Sequence, residues 1–132
     1  MDLPEADVDT GEEGINLNAT AGKVALVNNA EAITGQADEN VVDFVGYGTT
    51  TNEWEGDVEW ANQRALVPPY SKRNTASIER LTFLDSDATK LGAGGEHATG
   101  GNGWDSNRNS EDFVVRDTPE PQNSAETEVP VN

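Results

Sequence analysis

Residues 15–48 read INLNATAGKVALVNNAEAITGQADENVVDFVGYG, and residues 101–123 read GNGWDSNRNSEDFVVRDTPEPQN. The first stretch sets short apolar runs between glycines and asparagines, the pattern of strands joined by tight turns. Within it, residues 23–28 alternate so that Val24 and Leu26 point one way, with Lys23 and Ala25 opposite. Residues 41–47 give the clearest strand: Val42 and Phe44 share one face, and Val41, Asp43, Val45 and Tyr47 share the other. Gly46 and Gly48 flank Tyr47 and mark a bulge or a close approach of backbones. Residues 15–17 predict a further short strand. The second stretch is an Asp/Asn-rich turn that enters another strand at 112–116, where Phe113 and Val115 face together before Pro119 and Pro121 break the pattern.

Between these stretches the signal is weaker. Residues 53–65 place Trp54 and Trp60 among acids and fit either a loop or a short helix, and Pro68 with Pro69 ends whatever precedes it. Residues 75–84 predict a strand around Ile78. Residues 85–103 form a long polar, Gly-rich loop that holds the only histidine, His97. Short strands with little helical periodicity point to an all-β sandwich with Val24, Leu26, Val42, Phe44, Ile78, Phe113 and Val115 as its core. The chain divides into an acidic disordered lead-in at 1–13, a sandwich domain at 14–118 and an acidic, Pro-containing disordered tail at 119–132.

The 132 residues carry 25 acids and 8 bases, a net charge of -17. Ten of the acids lie in the two ends, so residues 14–116 hold 15 acids against 8 bases and a charge of -7. Such a field repels phosphate backbones, which argues against nucleic acid as a partner. The absence of cysteine excludes a disulfide framework, a thiolate nucleophile and a Cys-ligated metal. No apolar stretch approaches the ~20 residues of a membrane span. The acidic start is not that of a signal peptide. We expect a module excised from a larger extracellular or surface protein.

The blocks INLNATAGKVALVNN, VVDFVGYG, SIER at residues 77–80, and GNGWDSNRNSEDFVV followed by PQN resemble the lamin tail domain family in its bacterial secreted form. They stand in the family's order and cover residues 15–123. The resemblance implies an immunoglobulin-like β-sandwich and a non-catalytic accessory role: tethering, spacing or contact with a protein partner or a neighbouring domain of the parent chain. One departure matters. The family's usual first strands, of the type "I-x-E-V … E-F-I-E-L-Y-N", have no counterpart before Ile15. The expectation is therefore a sandwich incomplete on its N-terminal side, with an exposed edge open to strand addition.

Four residues are candidate metal ligands. Asp105, Asn107, Asn109 and Asp112 set oxygen side chains along one short run, as calcium loops do. The run lacks the central glycine and the twelfth-position glutamate of an EF-hand, and Arg108 sits in its middle. The competing reading is an Asx-turn network bonded to backbone N–H groups, with Arg80 paired to Asp105 or Asp112. Trp54, Trp60 and Trp104 are candidates for a sugar-stacking platform, set against the default that aromatic residues fill small cores. A calcium- or carbohydrate-binding accessory module beside a nuclease or phosphoesterase is thus the alternative function. His97 has no second histidine or cysteine nearby and is expected to be an exposed loop residue. No nucleophile elbow or phosphate loop is present, so no catalytic residue is expected. The sequon Asn18-Ala19-Thr20 has meaning only in a glycosylating host.

Overall fold

A computed structural model describes residues 9, 11–15, 17–56, 76–123 and 125. Most of the acidic lead-in and tail, Trp60 and the Pro68–Pro69 break lie outside them. A one-turn 3-10 helix, Gly11–Glu13, precedes four strands. These are β1 (Ala21–Val27), β2 (Val41–Gly48), β3 (Ser77–Arg80) and β4 (Phe113–Arg116). A single helical turn, α1 (Asn109–Asp112), leads directly into β4. The described chain is mostly β, with two antiparallel two-stranded sheets, β1–β2 and β3–β4. The described residues of 15–17 lie outside any strand, and residues 81–84 turn instead of extending β3.

β1 and β2 run in register from Ala21 opposite Gly48 to Leu26 opposite Asp43, and a bulge follows between Leu26 and Val27. The glycines of β2 stand where backbones meet. A Cβ on Gly46 would overlap the Glu53 carbonyl, and one on Gly48, whose φ is +81°, would overlap the Thr20 carbonyl. Tyr47 lies across Gly22 and donates its hydroxyl proton to Asn18 O at 2.7 Å. In the second sheet Ile78 faces Val115 and Arg80 faces Phe113. The Arg80 guanidinium sits 4.7 Å from the centre of the Phe113 ring, a cation–π contact.

The core differs from the one expected. Phe44, Tyr47, Trp54, Leu81 and Leu91 are buried. Ile78, Phe113 and Val115 are half-buried. Val24, Leu26 and Val42 are exposed at 38%, 60% and 60%. Alternation along a strand separates two faces but does not say which face another layer covers. Here the cover falls on Phe44, not on the Val24 and Leu26 side. The energetic consequence is direct. Phe44→Ala should cost about 3–5 kcal/mol, whereas Leu26→Ala and Val42→Ala should stay within about 1 kcal/mol. Urea unfolding of the three variants checks the contrast.

Candidate functional site

Part of the polar interior lies where α1, β2 and residues 51–56 meet. Asn109, fully buried at 0% exposure, is at the centre. Its Oδ1 accepts the N–H of Gly46 at 2.7 Å and of Glu55 at 3.1 Å. Its Nδ2 donates to Phe44 O at 3.0 Å and to Glu55 Oε2 at 3.2 Å. Its own N–H reaches Glu55 O at 3.1 Å. The side chain therefore acts as a surrogate strand along the outer edge of β2 and as a clip for residue 55. Glu55 reinforces it by accepting the Phe44 N–H through Oε1 at 3.1 Å.

Asp112, also at 0% exposure, organises the turn before α1. Its Oδ1 accepts from Ser106 N and Ser106 Oγ at 2.9 and 2.7 Å, and its Oδ2 accepts from Arg108 N at 3.1 Å. Asp105 Oδ1 accepts the Asn107 N–H at 2.8 Å, and Asn107 takes a positive φ of 57°. These are Asx-type bonds that shape the chain for its entry to α1 and β4. Of the four candidate calcium ligands, Asn109 and Asp112 are thus turned onto protein N–H and C=O groups. Asp105 makes one such bond and also faces Arg80.

Asp105 joins a cluster that the sequence did not suggest. Carboxylate oxygens of Asp43, Glu55 and Asp105 lie within 4.8 Å of one another, the one such grouping among the described residues. Arg80 enters it from β3. Its NH2 donates to both oxygens of Asp43 at 2.8 Å, its NH1 donates to Trp104 O at 3.2 Å, and NH1 stands 3.8 Å from Asp105. Of the two partners expected for Arg80, Asp105 is the one observed. A guanidinium already fills part of the space a cation would take, and it neutralises one of the three charges.

Glu55 bears the imbalance. Burial, and next the neighbouring Asp43 carboxylate, push its carboxyl up to about 7, against the opposing N–H bond from Phe44. A raised folded value means that the native state holds a proton which the unfolded chain releases at lower pH. Stability from this group is full below about pH 4.5 and falls as pH rises through 7. Allowing for solvent screening, the loss should be about 1–2 kcal/mol. Asp38 and Asp87 are held below the usual range, first by backbone N–H bonds from Asn40 and Lys90 respectively; Asp85 is lowered first by the Lys90 ammonium. Their contributions are lost as pH falls below about 3.8. Chemical denaturation across this range should show its maximum near about pH 4–4.5 and a fall toward pH 7, and Glu55→Gln should flatten that neutral limb.

The remaining candidates resolve as follows. His97 is buried, which corrects the expectation of an exposed loop histidine. Its Nδ1 lies 2.8 Å from Ser86 Oγ, and its ring meets Phe83 edge-on at 5.0 Å. Ser86 Oγ also accepts the Phe83 N–H at 2.9 Å, which leaves its hydroxyl proton for Nδ1. Among the described residues no carboxylate orients the imidazole, so the pair closes a turn of the 85–103 loop. Trp54 is buried and offers no stacking face, and Trp104 is half-buried with its indole Nε1 unpartnered. Trp60 lies outside the described residues. The sequon is exposed, with Asn18 Oδ1 accepting both Thr20 N–H and Thr20 Oγ–H at 2.8 Å. No helix among the described residues is long and apolar enough to cross a membrane. No family model, curated protein or solved structure matches this chain.

Proposed function

We propose that the chain is a non-catalytic structural and interaction module, an immunoglobulin-like sandwich of the lamin-tail type within a larger secreted or surface protein. In this reading it tethers the parent by contact with a protein partner or a neighbouring domain. One observation carries it most: Val24, Leu26 and Val42 are held on well-formed strands yet face solvent. The polar interior supports it too, because Asn109, Asp112, Arg80 and Ser86 spend their hydrogen-bonding groups on the fold itself. A fluorescent fusion of the chain should bind saturably to the cells that produce it. Leu26→Thr with Val42→Thr, which puts β-branched residues on the strands and adds no charge opposite Asp43, should weaken that binding at least tenfold while the urea midpoint moves little. Absence of binding, or hydrolysis of a phosphoester by the chain alone, would overturn the reading.

A calcium-binding accessory module has one observation in its favour, the approach of Asp43, Glu55 and Asp105. A rise of several degrees in Tm with calcium, lost in Asp105→Ala, would place it first. The default expectation, given Arg80 within the cluster, is no shift.

A further inference from the structure

The two edges of the β1–β2 sheet are treated differently. On β2, the Phe44 and Gly46 N–H groups point away from β1, to Glu55 and Asn109, and the Phe44 carbonyl does likewise. That edge is closed by side chains. Phe44 faces Ala25, and Gly46 faces Lys23. In an antiparallel ladder, residues facing each other without exchanging bonds direct their peptide groups outward on both sides. The N–H and C=O groups of Lys23 and Ala25 therefore point to the far side of β1, where no described strand pairs with them.

That free edge has a character on each face. On one side are Val24 and Leu26, exposed and apolar. On the other is an open cleft of about 260 Å³ lined by Lys23, Ala25, Ile33, Phe44 and Glu53. The single base there, Lys23, is already paired with Glu53 at 2.7 Å. Beyond the end of β1, residues 28–40 carry Glu31, Asp38 and Glu39 and no base. Of the devices that keep strand edges from pairing, β1, unpaired on this side among the described residues, has neither an uncompensated lysine nor a proline, and its one bulge lies at its end, past Leu26. With a net charge of -17, a second copy of the chain is repelled and a cationic strand is attracted.

We propose that the outer edge of β1 is a docking edge for an extended, basic segment of a partner protein. Its apolar residues cover Val24 and Leu26, and its cationic residues lie toward Glu53 and the 28–40 acids. The inference rests on the reading of the chain as an interaction module and names that module's partner chemistry. Main-chain bonds to Lys23 and Ala25 supply the pairing, and the alternation of the added strand supplies the selection.

The test uses a blocked eight-residue peptide of alternating Val and Lys, titrated into the chain and followed by amide NMR. Shifts should centre on Lys23 and Ala25, and a matched Val–Glu peptide should produce none. N-methylation of all valines or of all lysines modifies one edge of the peptide strand at a time, so one of these two peptides should bind and the other should not. Ala25→Pro removes an outward N–H without touching the β1–β2 ladder. It should weaken the Val–Lys peptide at least tenfold while the urea midpoint holds. Equal binding of the Val–Glu peptide, shifts centred elsewhere, indifference to both methylations, or dimerisation of the chain through this edge would each overturn the assignment. If cell binding of the fluorescent fusion persists in Ala25→Pro, the module reading stands and the edge assignment falls. If cell binding is absent from the start, the module reading itself falls.

Discussion

Asn109→Ala should remove a large part of the chain's folding stability. The substitution strands the N–H groups of Gly46 and Glu55 and the carbonyl of Phe44, all in a site with no exposure at residue 109. Each buried group left without a partner costs about 1–3 kcal/mol, so the three together cost roughly 3–9 kcal/mol. A domain of this size has about 5–10 kcal/mol to lose in the best case, and this one has few buried apolar side chains. The Glu55 carboxylate also loses a donor, which leaves Phe44 N–H as its remaining neutral partner. Asn109→Asp separates the electrostatic part from the packing part. It keeps an acceptor for the two N–H groups but turns an oxygen onto Phe44 O and Glu55 Oε2. Those contacts hold the new carboxyl protonated in the fold, so this variant should regain stability as pH falls. Far-UV circular dichroism with urea titration at about pH 5 and about pH 8 reads both effects. An Asn109→Ala protein as stable as the parent would show that the clip is incidental.

That clip also explains what the sequence does and does not disclose. The strands at 23–28, 41–47 and 112–116 were legible because alternation over several residues is a local property. The residues they bury were less so. Val24 and Leu26 look like a core face until one knows that the covering layer lies against Phe44. The loop 85–103 shows in the sequence only as long, polar and Gly-rich. In the fold it is tied down by non-local bonds: Trp104 N–H to Leu81 O, Gln122 Nε2 to Ala98 O, and Ala93 N–H to Glu120. The run from Asp105 to Asp112 was read as an oxygen-rich loop, and it is one, but its oxygens serve backbone N–H groups. The chemistry was visible and its recipient was not, because an Asx turn and a cation loop use the same residues. Asp43 and Glu55 were missed altogether. Asp43 sat in a strand otherwise read for its apolar residues, and Glu55 sat in a segment with no periodicity. The arginine in SIER is the one signal that pointed there, since a strand arginine needs acids, and the half-buried Arg80 draws them from other elements. The expected pairing of Arg80 with Asp105 or Asp112 named one of its partners, Asp105, and Asp43 supplies the other.

The same logic makes Arg116 the second point of failure. Its side chain is 5% exposed, and it holds Glu79, 13% exposed, from the adjacent strand. A second nitrogen holds Glu120, four residues further on, which in turn accepts the Ala93 N–H. One guanidinium thus joins β3, β4, the 88–95 turns and the segment that follows β4. Arg116→Met keeps most of the volume and removes the charge, so the cost comes from two carboxylates left without a cation. Breaking a buried pair on one side typically costs about 3–5 kcal/mol. Glu120, at 28% exposure, can turn to water more readily than Glu79, at 13% and held at its other oxygen by Asn102 Nδ2, so Glu79 should dominate the loss. Pairing Arg116→Met with Glu79→Gln should then recover a large part of the stability, whereas pairing it with Glu120→Gln should recover little. The destabilised single variant should also lose hydrogen-exchange protection first at Ala93, whose N–H is accepted by Glu120 in the segment after β4. If Arg116→Met with Glu120→Gln recovers more than Arg116→Met with Glu79→Gln, the strap to the loop, not the cross-strand pair, is what Arg116 maintains.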